Sequence, residues 1–133
     1  MANKEVQDLI YKDLSYKIVG IAFDVFNSLG YGMQEKYYQK AFAKELEILN
    51  IPYKKEERVI LDYKESSLGS YLADFIVDDK VIIELKVRPR LGYTHIRQVT
   101  EYLDKFNKKL AIMIYFNKDG VHYRRILNPN IKI

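Results

Sequence analysis

The sequence contains no cysteine, which excludes disulfides and every thiolate metal site. With only two histidines, a structural zinc centre has too few ligands to draw on. No apolar run approaches the ~20 residues that a bilayer-spanning helix needs. The opening stretch MANKEVQDLIYKDL is too polar for a secretory signal, so the expected location is the cytoplasm, away from membranes. There is no internal repeat, linker or low-complexity tract. Charge of one sign is also scarce in excess: the net charge of +4 is mild and points only weakly toward nucleic acid.

What is present suits one folded unit. A chain of 133 residues, 48% apolar and 30% charged, is long enough to bury a core without covalent staples and is expected to form a single domain over residues 1–133. Residues 1–12 read as a polar lead-in with some helical character. From Asp13 or Ser15 to Leu29, Leu14, Ile18, Ile21, Ala22, Val25 and Phe26 recur every three or four positions, predicting an amphipathic helix. Gly30-Tyr31-Gly32 ends it. A second helix runs to about Leu49 on a stripe of Tyr38, Phe42, Leu46 and Leu49, closed by Asn50 and Pro52. Arg58 to Tyr63 reads as a strand and Lys64 to Ser70 as a loop. After the segment RPRLGY, Thr94 can cap a third helix with Ile96, Val99, Leu103 and Phe106 inward. Leu110 to Phe116 is a continuous apolar strand, central and covered on both faces. The turn Asn117 to Gly120 leads into a last strand, Val121 to Leu127. Most of the twelve tyrosines sit at core spacings, Tyr38, Tyr102 and Tyr123 among them.

The stretch YLADFIVDDKVIIELKV, Tyr71 to Val87, reads as a β-hairpin around Asp78-Asp79-Lys80. Its anomaly is charge inside apolar strands: Asp74, Glu84 and Lys86. Alternation puts Glu84 and Lys86 on one face and Val81, Ile83, Leu85 and Val87 on the other. With a three-residue loop Val77 pairs with Val81, and Asp74 falls opposite Glu84, about 5 Å away; a two-residue loop shifts that register by one. Two carboxylates so placed repel by roughly 3–4 kcal/mol at an effective dielectric near 20. Lys86 offsets part of this, and a divalent cation such as Mg²⁺ or Mn²⁺, which favours oxygen ligands, would offset all of it. An acid two residues before a lysine also occurs at Asp62 and Asp78, but in turn-like polar stretches. The blander reading of Asp74, Glu84 and Lys86 is a surface ion-pair network worth about 0–1 kcal/mol, and that of Glu35 a residue favouring the positive end of a helix dipole.

The order of elements with these residues resembles the PD-(D/E)XK nuclease superfamily. More narrowly, Gly32-Met33-Gln34-Glu35-Lys36-Tyr37-Tyr38-Gln39 resembles the signature of the GxxExxY proteins, a bacterial and archaeal branch of it. The resemblance covers about residues 14–127 and includes Asp74-Phe75, Ile83-Glu84-Leu85-Lys86, and Gln98 with Tyr102-Leu103. It implies a restriction-endonuclease-like α/β domain, order ααβββαββ around a mixed central sheet. It implies Asp74 and Glu84 as metal ligands, Glu35 as an additional metal or water ligand, Lys86 positioning or activating the attacking water, and Gln98 facing the site from the third helix. The implied activity is Mg²⁺- or Mn²⁺-dependent hydrolysis of nucleic acid, DNA foremost, with a homodimer plausible for cutting duplex. Two positions depart from the pattern: Ala73 replaces the proline common before the first Asp, and Phe26 stands where some relatives carry histidine. Arg88, Arg90 and Arg97 are the expected nucleic-acid contacts, with a solvated basic loop as the alternative. His95 reads as a polar residue on the first turn of the third helix. The alternative function is a catalytically idle nuclease-fold module binding nucleic acid or a protein partner.

Overall fold

The structure, a computed structural model, describes residues 10–131; most of the polar lead-in lies outside them. Helices α1 (Lys12–Leu29) and α2 (Glu35–Ile48) precede strands β1 (Tyr53–Tyr63), β2 (Ser66–Val77) and β3 (Val81–Val87). Helix α3 (Tyr93–Phe106) and strands β4 (Leu110–Asn117) and β5 (Gly120–Leu127) follow, giving the expected order ααβββαββ. The five strands form one mixed sheet in the order β1-β2-β3-β4-β5. Only β3 and β4 are parallel, and α3 is the crossover such a pair requires.

The sheet is covered on both sides, and strand alternation decides which residue faces which helix. Phe75, Val77, Val81, Ile83, Leu85, Ile112, Ile114 and Phe116 pack with the α1 stripe (Ile18, Ile21, Ala22, Val25) and the α2 stripe (Tyr38, Phe42, Leu46). Ile82, Ala111, Met113 and Ile126 pack on the other side with Val99 and Leu103 of α3. Each large apolar side chain fully buried this way contributes about 1.5–3 kcal/mol. Phe26 joins the first cluster, its ring 5.3 Å from Phe116.

Several local expectations are corrected. Strand β1 begins at Tyr53, not Arg58, and Ser66 to Ser70 is strand, not loop; the turn is only Lys64 and Glu65, both left-handed with φ 46° and 66°. This hairpin is mostly exposed, so backbone pairing rather than an apolar pattern extends it. Helix α2 ends at Ile48, and Leu49 is exposed while Ala43 takes a buried place; Asn50, at φ 56°, turns the chain away. Gly92, not Thr94, occupies the cap position of α3. Tyr123 is half exposed, on β5 at the edge of the described sheet.

The feature that positions the site is a break in the sheet. The β2–β3 hairpin has the expected three-residue turn and register, Val77↔Val81, Ile76↔Ile82 and Phe75↔Ile83, and there the pairing stops. Strict alternation would put Ala73 with Phe75, yet Ala73 packs on the α3 side with Ile76. On β1, Lys55 pairs with Phe75 and Glu57 with Ala73, while Glu56 between them takes a left-handed φ of 56°. Both strands are thus distorted at the level of Asp74. Such irregularities bend a strand and re-aim a side chain.

Candidate active site

Past Ile83, β3 keeps β4 on one side but has lost β2 on the other. Its backbone groups on that side still need partners. Continued register would set Leu85 against Ala73; instead the Leu85 N–H donates to Asp74 Oδ2 at 2.8 Å. The Val87 N–H donates to Glu35 Oε1 at 3.0 Å, and the Leu85 carbonyl accepts from Gln39 Nε2 at 3.4 Å. Glu35 and Gln39 stand one turn apart on the same face of α2, so that helix face and the bent end of β2 together replace the missing strand. Asp74 therefore reaches the β3 backbone rather than simply facing Glu84 across a closed ladder.

The stretch before α2 explains why Glu35 arrives where it does. The Tyr38 hydroxyl, on a fully buried ring, donates to the Gly30 carbonyl at 2.5 Å and accepts from the Met33 N–H at 3.2 Å. Gly30 and Gly32 adopt φ of 73° and 108°, conformations that a residue with a Cβ rarely takes. One tyrosine and two glycines thus fold the α1–α2 connection tightly and set the first residue of α2 against β3.

Lys86 Nζ lies 3.5 Å from Asp74 Oδ2 and 3.8 Å from Glu84 Oε2. The Glu84 side chain is only 4% exposed, and its Oε1 is buried without a hydrogen-bond partner. Burial pushes the Glu84 carboxyl up to about 7, against the pull of the Lys86 ammonium and the Asp74 backbone. Burial also raises Asp74, opposed by the Leu85 N–H and by Lys86. Glu35 adds to both through its negative charge. An ammonium at 3.8 Å is worth about 4 kcal/mol at an effective dielectric near 20, yet burial still prevails at Glu84. The centre is short of positive charge.

Those features fit a hard divalent cation: two converging carboxylates, an oxygen with no partner, and no sulfur or nitrogen ligand required. Among the described residues no group of three or more His, Cys, Asp or Glu side chains forms a compact metal cluster. Glu35, tied to Val87 through Oε1, adds its negative charge to both Asp74 and Glu84.

Of the other residues singled out in the sequence, Gln98 is exposed on α3. The α3 residue that senses the centre is His95, whose imidazole is lowered by burial and by the charges of Arg88 and Lys86. Arg88 and Arg90 are exposed just beyond β3, and Arg97 is exposed on α3. Gln39 had no role assigned from sequence, although it directly follows Tyr38; its i, i+4 spacing from Glu35 was the available signal. No described helix is long and apolar enough to cross a membrane.

A family model described as the PD-(D/E)XK nuclease superfamily matches residues 12–126. Among solved structures the chain is similar to SSO0001, at 15% identity and a TM-score of 0.59, over 94% of this chain and 64% of that one; this chain spans under two thirds of that protein's length. It is also similar to an alkaline exonuclease (LHK-Exo) from Laribacter hongkongensis, at 11% identity and a TM-score of 0.49, over 82% of this chain and 77% of that one. No curated protein matches the sequence.

Proposed function

Since the chain belongs to the PD-(D/E)XK nuclease superfamily, we propose that it is a metal-dependent phosphodiesterase that cleaves nucleic acid, DNA foremost, at the centre formed by Asp74, Glu84 and Lys86. The observation that carries this reading is the convergence of Lys86 Nζ on both carboxylates beside an unpartnered Glu84 Oε1. Asp74 and Glu84 would hold Mg²⁺ or Mn²⁺, with Glu35 as the further carboxylate. When bound, the cation supplies Lewis acidity toward a phosphoryl oxygen and a more acidic water.

The chain's own residues do the remainder. Lys86 holds positive charge where a phosphoryl group gains negative charge in the transition state, and its Nζ can orient a water through a hydrogen bond. The Leu85 and Val87 amides fix the Asp74 and Glu35 carboxylates through one oxygen each, leaving the other oxygens free. Arg88, Arg90 and Arg97 supply backbone affinity that carries no sequence information. The sequence Gly32 to Gln39 supports placing the chain in the GxxExxY branch. A homodimer would let so small a domain cut both strands of a duplex.

The test is a cleavage panel of single- and double-stranded DNA and RNA with Mg²⁺ or Mn²⁺, run with the parent and with Lys86→Ala. The parent should cut at least one substrate. Lys86→Ala should lose cleavage while keeping most of its binding, because affinity rests mainly on the arginines. A panel left intact at every metal concentration would replace the nuclease with an idle module of the same fold.

A further inference from the structure

At the carboxyl ends of the parallel strands β3 and β4 lies a cavity of about 390 Å³, on the α1/α2 face of the sheet and one residue beyond Lys86 along β3. Its walls are Tyr31, Val87, Arg88, Pro89, Phe116, Asn117, Lys118 and Asp119, so the two cations share the rim with one carboxylate. Strand ends of this kind are where open α/β sheets admit ligands, since the connections diverge there. Val87 connects the cavity and the acidic centre through the backbone: its side chain lines the cavity, and its N–H donates to Glu35.

The walls differ in chemistry. Val87 and Phe116 are apolar. Arg88 and Lys118 are exposed cations, and Tyr31 is 60% exposed. Tyr31 is not on a loose loop: its flanks Gly30 and Met33 are both bonded to the Tyr38 hydroxyl. The opposite wall is braced as well. Asn117, buried, donates from Nδ2 to the Pro89 carbonyl at 2.8 Å and accepts at Oδ1 from the Asp119 N–H at 2.8 Å. Asn117 thus ties the two connections together at the cavity wall. A preformed cavity at the small end of the ligand-site range, about 300–1,000 Å³, has room for one nucleotide but not for a base pair.

We propose that this cavity is a subsite for one unpaired nucleotide of the nucleic-acid strand, its base against Tyr31 and its phosphate toward Arg88 and Lys118. The proposal rests on the nuclease reading above and names its substrate class. A base must leave the duplex to enter, so the site selects single strands, overhangs or frayed ends, where unstacking is cheapest. Aromatic stacking is tolerant of base identity, so the subsite confers preference for strandedness more than for sequence.

The experiment measures binding by fluorescence anisotropy in chelator, so that the probe stays intact. A labelled DNA single strand, the blunt duplex of the same sequence, and a series of single strands with one abasic position each are titrated with the parent, Tyr31→Ala and Tyr31→Phe. Tyr31→Ala should weaken single-strand binding roughly 5- to 100-fold, spare the duplex, and remove the parent's sensitivity to one particular abasic position. Tyr31→Phe should bind like the parent. If Tyr31→Ala binds the single strand as the parent does, or retains the same abasic profile, the subsite is overturned. Equal weakening of single strand and duplex also overturns it, since that marks a general backbone contact. A parent that binds neither probe removes the subsite and the nuclease reading together. A parent that shows the coupling but cuts nothing with Mg²⁺ or Mn²⁺ keeps the subsite and removes only the catalytic reading.

Discussion

Glu84 holds its proton up to a pH of about 7, against an ordinary carboxyl value of 4.5, and that difference links stability to pH. Between those values the folded chain binds more protons than the unfolded chain, so stability falls as pH rises through the window. The raised Asp74 adds to the same slope. Asp79 is held low by Lys108, from 3.8 downward, so its opposite effect lies below the window, whereas the lowered His95 opposes the slope within it, below 6.5. The metal-free melting temperature should therefore decline as pH is raised from 4.5 to about 7, and Glu84→Gln should flatten most of that decline. Mn²⁺ should raise the melting temperature of the parent more at the alkaline end, where Glu84 is ionised, and should do little for Glu84→Gln. Thermal melts across pH, with chelator and then with Mn²⁺, check both. A parent blind to the metal and no less stable at neutral than at acidic pH would mark Asp74, Glu84 and Lys86 as an ion-pair network.

At the scale of elements, β3 depends on α2 for partners that β2 no longer supplies. Glu35→Gln keeps an oxygen acceptor for the Val87 N–H and removes only charge, so the melting temperature should hardly move, within about 0.5 kcal/mol. Glu35→Ala leaves that N–H to water and should cost about 1 kcal/mol, as should Gln39→Ala at the Leu85 carbonyl. Chemical denaturation of the three variants measures this. If Glu35→Gln lost as much stability as Glu35→Ala, the hydrogen bond to Val87 would not be what Glu35 contributes. Tyr38 acts one step earlier, since its hydroxyl holds the connection that carries both Tyr31 and the start of α2.

For the molecule as a whole, one sheet serves both cores. β2, β3 and β4 each place residues in the cluster under α1 and α2 and in the cluster under α3. Neither half can lose its packing while the sheet persists unchanged, so unfolding as one cooperative unit is the expected outcome. Far-ultraviolet circular dichroism and tyrosine fluorescence, followed through a urea titration, should give coincident transitions with one midpoint. Two separated midpoints would divide the chain into independent units.

How much of this was legible in the sequence varies with the kind of interaction. Apolar periodicity determined α1, the β2–β3 turn and β4, because each follows from side chains alternating or recurring along one element. It also marked Asp74, Glu84 and Lys86, since charge inside an apolar strand is costly and therefore conspicuous. The exposed hairpin over Tyr53 to Ser70 was partly missed, because backbone pairing holds it and leaves no apolar pattern. The break at Asp74 was invisible: it depends on Glu56 turning left-handed in a neighbouring strand and on β2 parting from β3. Gln39 and His95 gained their places only when α2 and α3 packed against the same strand end. The sequence by itself thus determined the elements, their order and the acidic pair with its lysine, because these are local consequences of side-chain chemistry. Tertiary structure alone decided which oxygens are spent on the β3 backbone and which remain free, because that depends on where two strands separate and which helix fills the gap.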